Sequence, residues 1–166
     1  MRIDRLELAK YGRFTDCTVD FSAPGVHLVV GPNEAGKSTM RDAVTDLLYG
    51  IARQTSYGYL HDMRELRISA LLRARDGRTL EITRLKKDRD SLRSASGAVL
   101  DQAELNAVLA GVAKDDFTEV FAIDHEELRA GGAALLAGRG DLAKALFESR
   151  SSAHLTALLE IGRAHV

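Results

Sequence analysis

The stretch Gly31, Pro32, Asn33, Glu34, Ala35, Gly36, Lys37, Ser38 and Thr39 fits the pattern G-x-x-x-x-G-K-[ST], a loop built to hold the phosphates of a nucleoside triphosphate. Most of its chemistry is done by backbone. Gly31 and Gly36 permit angles and a closeness of approach that a β-carbon would block. The N–H groups of residues 33 to 38 can then converge on an anion. A helix starting near Gly36 adds the positive end of its dipole. Lys37 is placed to reach the β- and γ-phosphates, and is the residue expected to act on the transferring group. Ser38 supplies a hard oxygen of the kind Mg2+ prefers, and Thr39 is expected to assist at the α-phosphate. The cofactors implied are ATP and Mg2+.

Positioning such a loop requires a strand before it and a helix after it. Residues 26–30, VHLVV, form an almost unbroken apolar run, which predicts a parallel strand buried on both faces. Beyond the loop, Met40, Ala43, Val44, Leu47 and Leu48 recur at helical spacing, with Arg41, Asp42, Thr45 and Asp46 on the other side. Gly50 is placed to end that helix. Upstream, residues 2–9 alternate, with Leu6 and Leu8 facing one way and Arg5 and Glu7 the other. A turn at residues 11–14 and a second short strand, Thr18 to Phe21, with Val19 and Phe21 inward, follow.

Downstream, residues 51–63 read as an irregular connection carrying two exposed aromatics, Tyr57 and Tyr59. Leu66, Ile68, Ala70, Leu72 and Ala74 alternate with Arg67, Ser69, Arg73 and Arg75, which predicts a strand. Asp76-Gly77 reads as a two-residue hairpin turn, and Thr79 to Leu85 as the returning strand. Residues 86–98 read as an exposed loop. The remainder suggests short helices. Asp101 and Glu104 form a capping box for the first, and Asp115 or Asp116 caps the second. Further helical patterns lie at 126–130, 141–147 and 154–160, interrupted by Gly131-Gly132 and Gly138-Arg139-Gly140. The last six residues, 161–166, match one reading frame of a common sequencing-adapter oligonucleotide and are expected to be a non-native tail.

Composition narrows the function only slightly. The chain has 166 residues, a net charge of −1 and 28% charged residues, which argues neither for nor against nucleic acid. Cys17 is the sole cysteine, so an internal disulfide and a cysteine-based metal cluster are excluded, and a reducing, cytoplasmic location is expected. No signal peptide or membrane-spanning run is visible. From Arg64 to Arg93 ten basic residues face five acidic ones, a local excess that nucleic-acid phosphates could meet, or simply a solvated hairpin face. His27 reads as a core histidine, and His61 and His125 suggest no metal site.

A phosphate loop alone does not hydrolyse; it needs a metal-orienting Asp at the end of a second buried strand, then a catalytic carboxylate. Val120-Phe121-Ala122-Ile123-Asp124 has the right outline, but His125 follows where the carboxylate is expected, and Phe117, Val120 and Phe121 fit helical spacing instead. Leu128-Arg129-Ala130-Gly131-Gly132 echoes a Ser-Gly-Gly signature without its serine, and reads as a helix stop.

The opening RIDRLELAKYGRF, a second strand ending at Phe21, and HLVVGPNEAGKST together resemble the amino-terminal lobe of SMC-like ATPases, the group that includes RecF and RecN. With the later FTEVFAIDHEELRAGGAALLAGRG, the chain resembles the YhaN family more closely than RecF or RecN, over residues 1–160. The resemblance implies an α/β P-loop fold of the ABC/SMC head type: a mixed sheet, a β-hairpin and a helical C-terminal part, read as a single domain over 1–160. In that superfamily the head is split. The first lobe carries the phosphate loop, a coiled coil follows, and the second lobe brings the signature and the Asp-Glu pair. Two heads sandwich two ATP molecules. The implied partners are therefore the chain's own C-terminal lobe and a second head in a homodimer, with DNA and a metallophosphoesterase nuclease beside them and no membrane. An arginine after the first strand touches the phosphates in related heads, and Arg13 is the nearest candidate, one position out of the common register. The glutamine that contacts Mg2+ would fall near Ile123 to His125, where this chain has Asp124 and His125.

The expectation is ATP binding, with hydrolysis in the full-length protein driving DNA-associated work such as break repair or nuclease regulation. Two rivals remain: a self-contained small-molecule or nucleotide kinase using Asp124 as metal acid, and an ATP-independent nucleic-acid-binding module using the basic hairpin.

Overall fold

The computed structural model describes residues 1–125 together with 128, 129, 132 and 133. The chain divides into two units, Met1–Ala122 and Ile123–Val166. The expected helices at 141–147 and 154–160, the glycine interruption at 138–140 and the tail at 161–166 lie outside the described residues, as do parts of the 126–130 helix and the Gly131-Gly132 stop.

The first unit is built on a five-stranded sheet in the order β2-β1-β3-β4-β5. Its strands are β1 (Arg2–Tyr11), β2 (Phe14–Asp20), β3 (Arg67–Arg73), β4 (Thr79–Leu85) and β5 (Leu92–Ser94). Every pairing is antiparallel. Alternation decides the faces. Leu6 and Leu8 of β1, Ile68, Ala70 and Leu72 of β3, Ile82 of β4 and Leu92 of β5 all point to one side and are buried there. Helix α1 (Lys37–Tyr49) covers that face with Ala43, Leu47 and Leu48. Helix α2 (Gln102–Val108) adds Leu105, and Leu109 just past its end joins the same core. Asp101 caps α2, its Oδ1 accepting the Ala103 N–H at 2.9 Å. Helix α3 (Lys114–Val120) docks on α1 through Phe117, whose ring lies 5.6 Å from that of Tyr49.

Asp4 is the extra residue of a bulge in β1, where the register against β3 shifts between Ile3 and Arg5. Its buried carboxylate is bound by Arg73 Nε at 2.8 Å and Arg2 Nε at 2.7 Å. Those bonds, Arg73's first, hold its pKa below the usual carboxylate range.

Several sequence expectations need correction. Residues 26–30 do not form a strand: Val26 is 99%, Leu28 83% and Val30 77% exposed. A strand buried on both faces needs neighbours to satisfy its backbone, and the described strands supply none for it. Without it the sheet is wholly antiparallel rather than mixed. His27 accordingly lies at the surface, its Nε2 3.0 Å from the Ala23 carbonyl oxygen. Strand β2 begins at Phe14 rather than Thr18, directly across a tight turn from Tyr11. The β3–β4 connection is a three-residue loop: Ala74 N–H donates to the Arg78 carbonyl at 2.8 Å, and Gly77 takes φ +87°. Residues 86–98 are not all loop, because Leu92–Ser94 adds β5 and sinks Leu92 into the core. Ala113, not Asp115 or Asp116, stands at the cap position of α3, and both acids occupy its first turn, where the helix dipole favours them.

Candidate nucleotide-binding site

The phosphate loop is set by two left-handed residues and by the turn beneath it. Glu34 takes φ +65° and Gly36 φ +100°, and α1 begins immediately after, at Lys37. Only Gly36 could hold its place. A β-carbon there would lie 2.6 Å from Phe14 Cζ and 2.9 Å from Arg13 Cδ. The β1–β2 turn is therefore packed directly against the loop. Gly12 repeats the device at φ +57°, where a β-carbon would meet Thr39 Cγ2 at 2.5 Å. Its N–H donates to the Tyr57 carbonyl at 2.8 Å.

These contacts bring Arg13 to the loop. Arg13, Asn33, Lys37, Ser38 and Thr39 line one open cavity of about 760 Å3, together with Tyr59 and Leu60. Lys37 Nζ donates to the carbonyl oxygens of Gly31 and Pro32, each at 2.7 Å. An ammonium carries three donors, so the lysine lies over the loop with one donor still to give to an incoming anion. Ser38 is exposed at the helix start, where its hydroxyl is open to a metal–phosphate complex. A single hydroxyl suits Mg2+ that arrives with a nucleotide, because that ion keeps phosphate oxygens and waters around it. Among the described residues no group of three His, Cys, Asp or Glu side chains could hold a metal ion without such help.

Helix α1 is fixed from both ends of its outer face. Asp42 accepts a hydrogen bond from the Tyr57 hydroxyl, and Asp46 accepts one from Tyr11 Oη at 2.7 Å. The two tyrosine rings pack with centroids 4.8 Å apart. Burial raises the pKa of Asp46 and of both phenols, with the hydrogen bond to each carboxylate adding to the phenol shifts. The two acids thus do not simply face solvent, as the helical stripe suggests, and Tyr57 is not an exposed aromatic. Only Tyr59 of that pair is. At the other end of α1, the buried Arg84 of β4 donates from Nε to the Leu47 carbonyl at 2.9 Å and from Nη2 to the Leu48 carbonyl and Gln102 Oε1. Burial pushes its pKa down to about 10, so it still enters the core charged. Nothing in the motif reading pointed to Tyr11, Tyr57 or Arg84. For Arg84 the signal was available, since alternation places it on the Ile82 face of β4.

The helix-and-loop reading of residues 117–124 agrees with α3, which ends at Val120; Asp124 does not follow a strand. The basic hairpin is thinner than its composition. Arg84 is buried, Arg73 is bound to Asp4, and Arg78 Nε pairs with Asp76 at 2.7 Å.

Comparison with known sequences is decisive at this point. The sequence model of a family described as an AAA domain matches residues 1–163, nearly the whole chain. The chain belongs to that AAA domain family. It is also similar to the uncharacterized protein YhaN of Bacillus subtilis (strain 168), 40% identical over 57 residues. That alignment spans 34% of this chain and 6% of the relative, so the whole relative is far longer than the matched segment. The family places the chain among AAA-type domains, a class that suggests nucleotide binding, and the likeness to YhaN is confined to one short stretch. No helix among its described residues is long and apolar enough to cross a membrane.

Proposed function

We propose that this AAA domain binds Mg2+-ATP at residues 31–39 and is the amino-terminal lobe of a split, SMC-like ATPase head. Lys37 takes the β- and γ-phosphates, Ser38 the metal, the 33–38 backbone the remaining phosphate oxygens, and Arg13 closes the cradle from the β1–β2 turn. The observation that carries the reading is the pairing of a well-formed loop with an unsupported approach. The loop and α1 are packed on the β1–β2 turn, yet residues 26–30 lie exposed with apolar side chains and no strand partners among the described residues. Strands of a second lobe would satisfy that segment, and would bring the acids and signature needed for hydrolysis. A second head then completes the nucleotide sandwich. DNA-associated work beside a metallophosphoesterase nuclease is the role the family resemblance favours.

Turnover by the isolated chain tests the split-head reading. It predicts Mg2+-ATP binding with negligible hydrolysis. Robust hydrolysis that is lost in Lys37→Ala and in Asp124→Ala would instead establish a self-contained kinase or ATPase. DNA binding that ignores both ATP and Lys37→Ala would favour a nucleic-acid module, which the pairing of Arg73 and Arg78 and the burial of Arg84 argue against.

A further inference from the structure

The cavity has a second wall that phosphate chemistry does not need. Tyr59 and Leu60 line it opposite in character to the loop, and they are 63% and 62% exposed. Aromatic and apolar side chains beside a few convergent polar groups are the usual lining of a small-molecule site. The chain around them is not loose. Tyr57, two residues before, packs its ring at a tilt against Tyr11, is hydrogen-bonded to Asp42 and is joined through its carbonyl to Gly12. His61, two residues after, places Nε2 2.9 Å from the Phe14 carbonyl oxygen. Lys10 Nζ pairs with Glu65 at 2.9 Å. A β-carbon on Gly58 would meet Met63 Sδ at 2.5 Å, so the bend itself is close-packed. The same β1–β2 turn that carries Arg13 to the phosphate loop therefore also anchors the residues on both sides of Tyr59.

We propose that Tyr59 is the base-stacking residue of this site: its ring, backed by Leu60, forms the platform for the base of a nucleoside triphosphate whose phosphates lie in the Gly31–Thr39 loop. The inference rests on the nucleotide reading above and deepens it. A volume of about 760 Å3 accommodates a nucleoside as well as a phosphate chain. Every base offers a π-face, so a lone tyrosine gives the site affinity for nucleotides over bare polyphosphate rather than a choice among bases.

The test is calorimetric titration of the Met1–Val166 chain, and of its Tyr59→Ala and Tyr59→Phe variants, with Mg2+-ATP and with Mg2+-tripolyphosphate. Tyr59→Ala should weaken ATP binding about tenfold or more. It should leave tripolyphosphate binding unchanged, and Tyr59→Phe should bind ATP as the parent does. An exposed side chain leaves the fold intact on truncation, which an unchanged melting temperature confirms. Unaltered ATP affinity in Tyr59→Ala, with tripolyphosphate still bound, overturns the inference alone and leaves the ring to be covered by a protein surface. Equal losses for both ligands also overturn it, by showing that Tyr59 only shapes the loop. Failure of the parent chain to bind either ligand overturns the nucleotide reading itself.

Discussion

At the scale of single residues, the site depends on a few backbone positions that no other residue type can fill. Gly12 is the sharpest case, because both its φ of +57° and the nearness of Thr39 exclude a β-carbon. Gly12→Ala is expected to destabilise the chain by about 1–3 kcal/mol in urea denaturation. The same variant should weaken nucleotide binding, since Thr39 and Arg13 are displaced with it. Asp46 gives a pH signature. Burial raises its folded pKa above the unfolded value, so its favourable contribution exists at low pH and is lost as pH rises through the folded value. Asp46→Asn, which keeps an acceptor for Tyr11, should therefore gain stability relative to the parent chain as pH rises from about 4 to 7. A difference that stays flat across that range would contradict the burial argument. Asp4 works in the opposite sense: its pKa is lowered by Arg73 and Arg2, so its contribution is present above the unfolded pKa and lost as pH falls. The glycine and lysine positions of the loop were legible because the motif names residue types directly. Tyr11 and Tyr57 were not, because the partners that make them structural lie 35 and 15 residues away, at Asp46 and Asp42.

At the scale of elements, β4 and α1 are joined by one guanidinium. Arg84 satisfies the last carbonyls of α1 and ties Gln102 of α2 to the same point. Arg84→Met leaves the Leu47 carbonyl and Gln102 Oε1 without that donor, while Leu48 keeps the bond from Gln102 Nε2, and should cost about 1–3 kcal/mol, read from the shift in denaturation midpoint. A loss below about 0.5 kcal/mol, the usual range for surface changes, would show that Arg84 is only a solvated hairpin cation. Strands β1, β3 and β4 were readable from period-two alternation, and α1 from its helical stripe and flanking glycines. Strand β5 was not, because three residues with a single buried leucine carry no periodicity. The run at 26–30 was misread for the converse reason. Its composition specifies a doubly buried strand, but composition does not supply neighbours, and backbone pairing is what makes a strand.

At the scale of the whole molecule, the glycine loop of an AAA-family chain follows an exposed apolar segment, and the split-head proposal assigns both to one design. Leu28→Asp should change the stability of this chain by less than about 0.5 kcal/mol, because the side chain is 83% exposed. In a reconstituted two-lobe head the same change should impair assembly, which analytical ultracentrifugation would report. The central claim remains that residues 31–39 bind a magnesium nucleotide. Calorimetric titration of Mg2+-ATP into the chain and into Lys37→Ala tests it most directly. The account predicts saturable one-site binding that Lys37→Ala weakens by about tenfold or more. Equal affinity in both chains, or no binding to the parent, would contradict it.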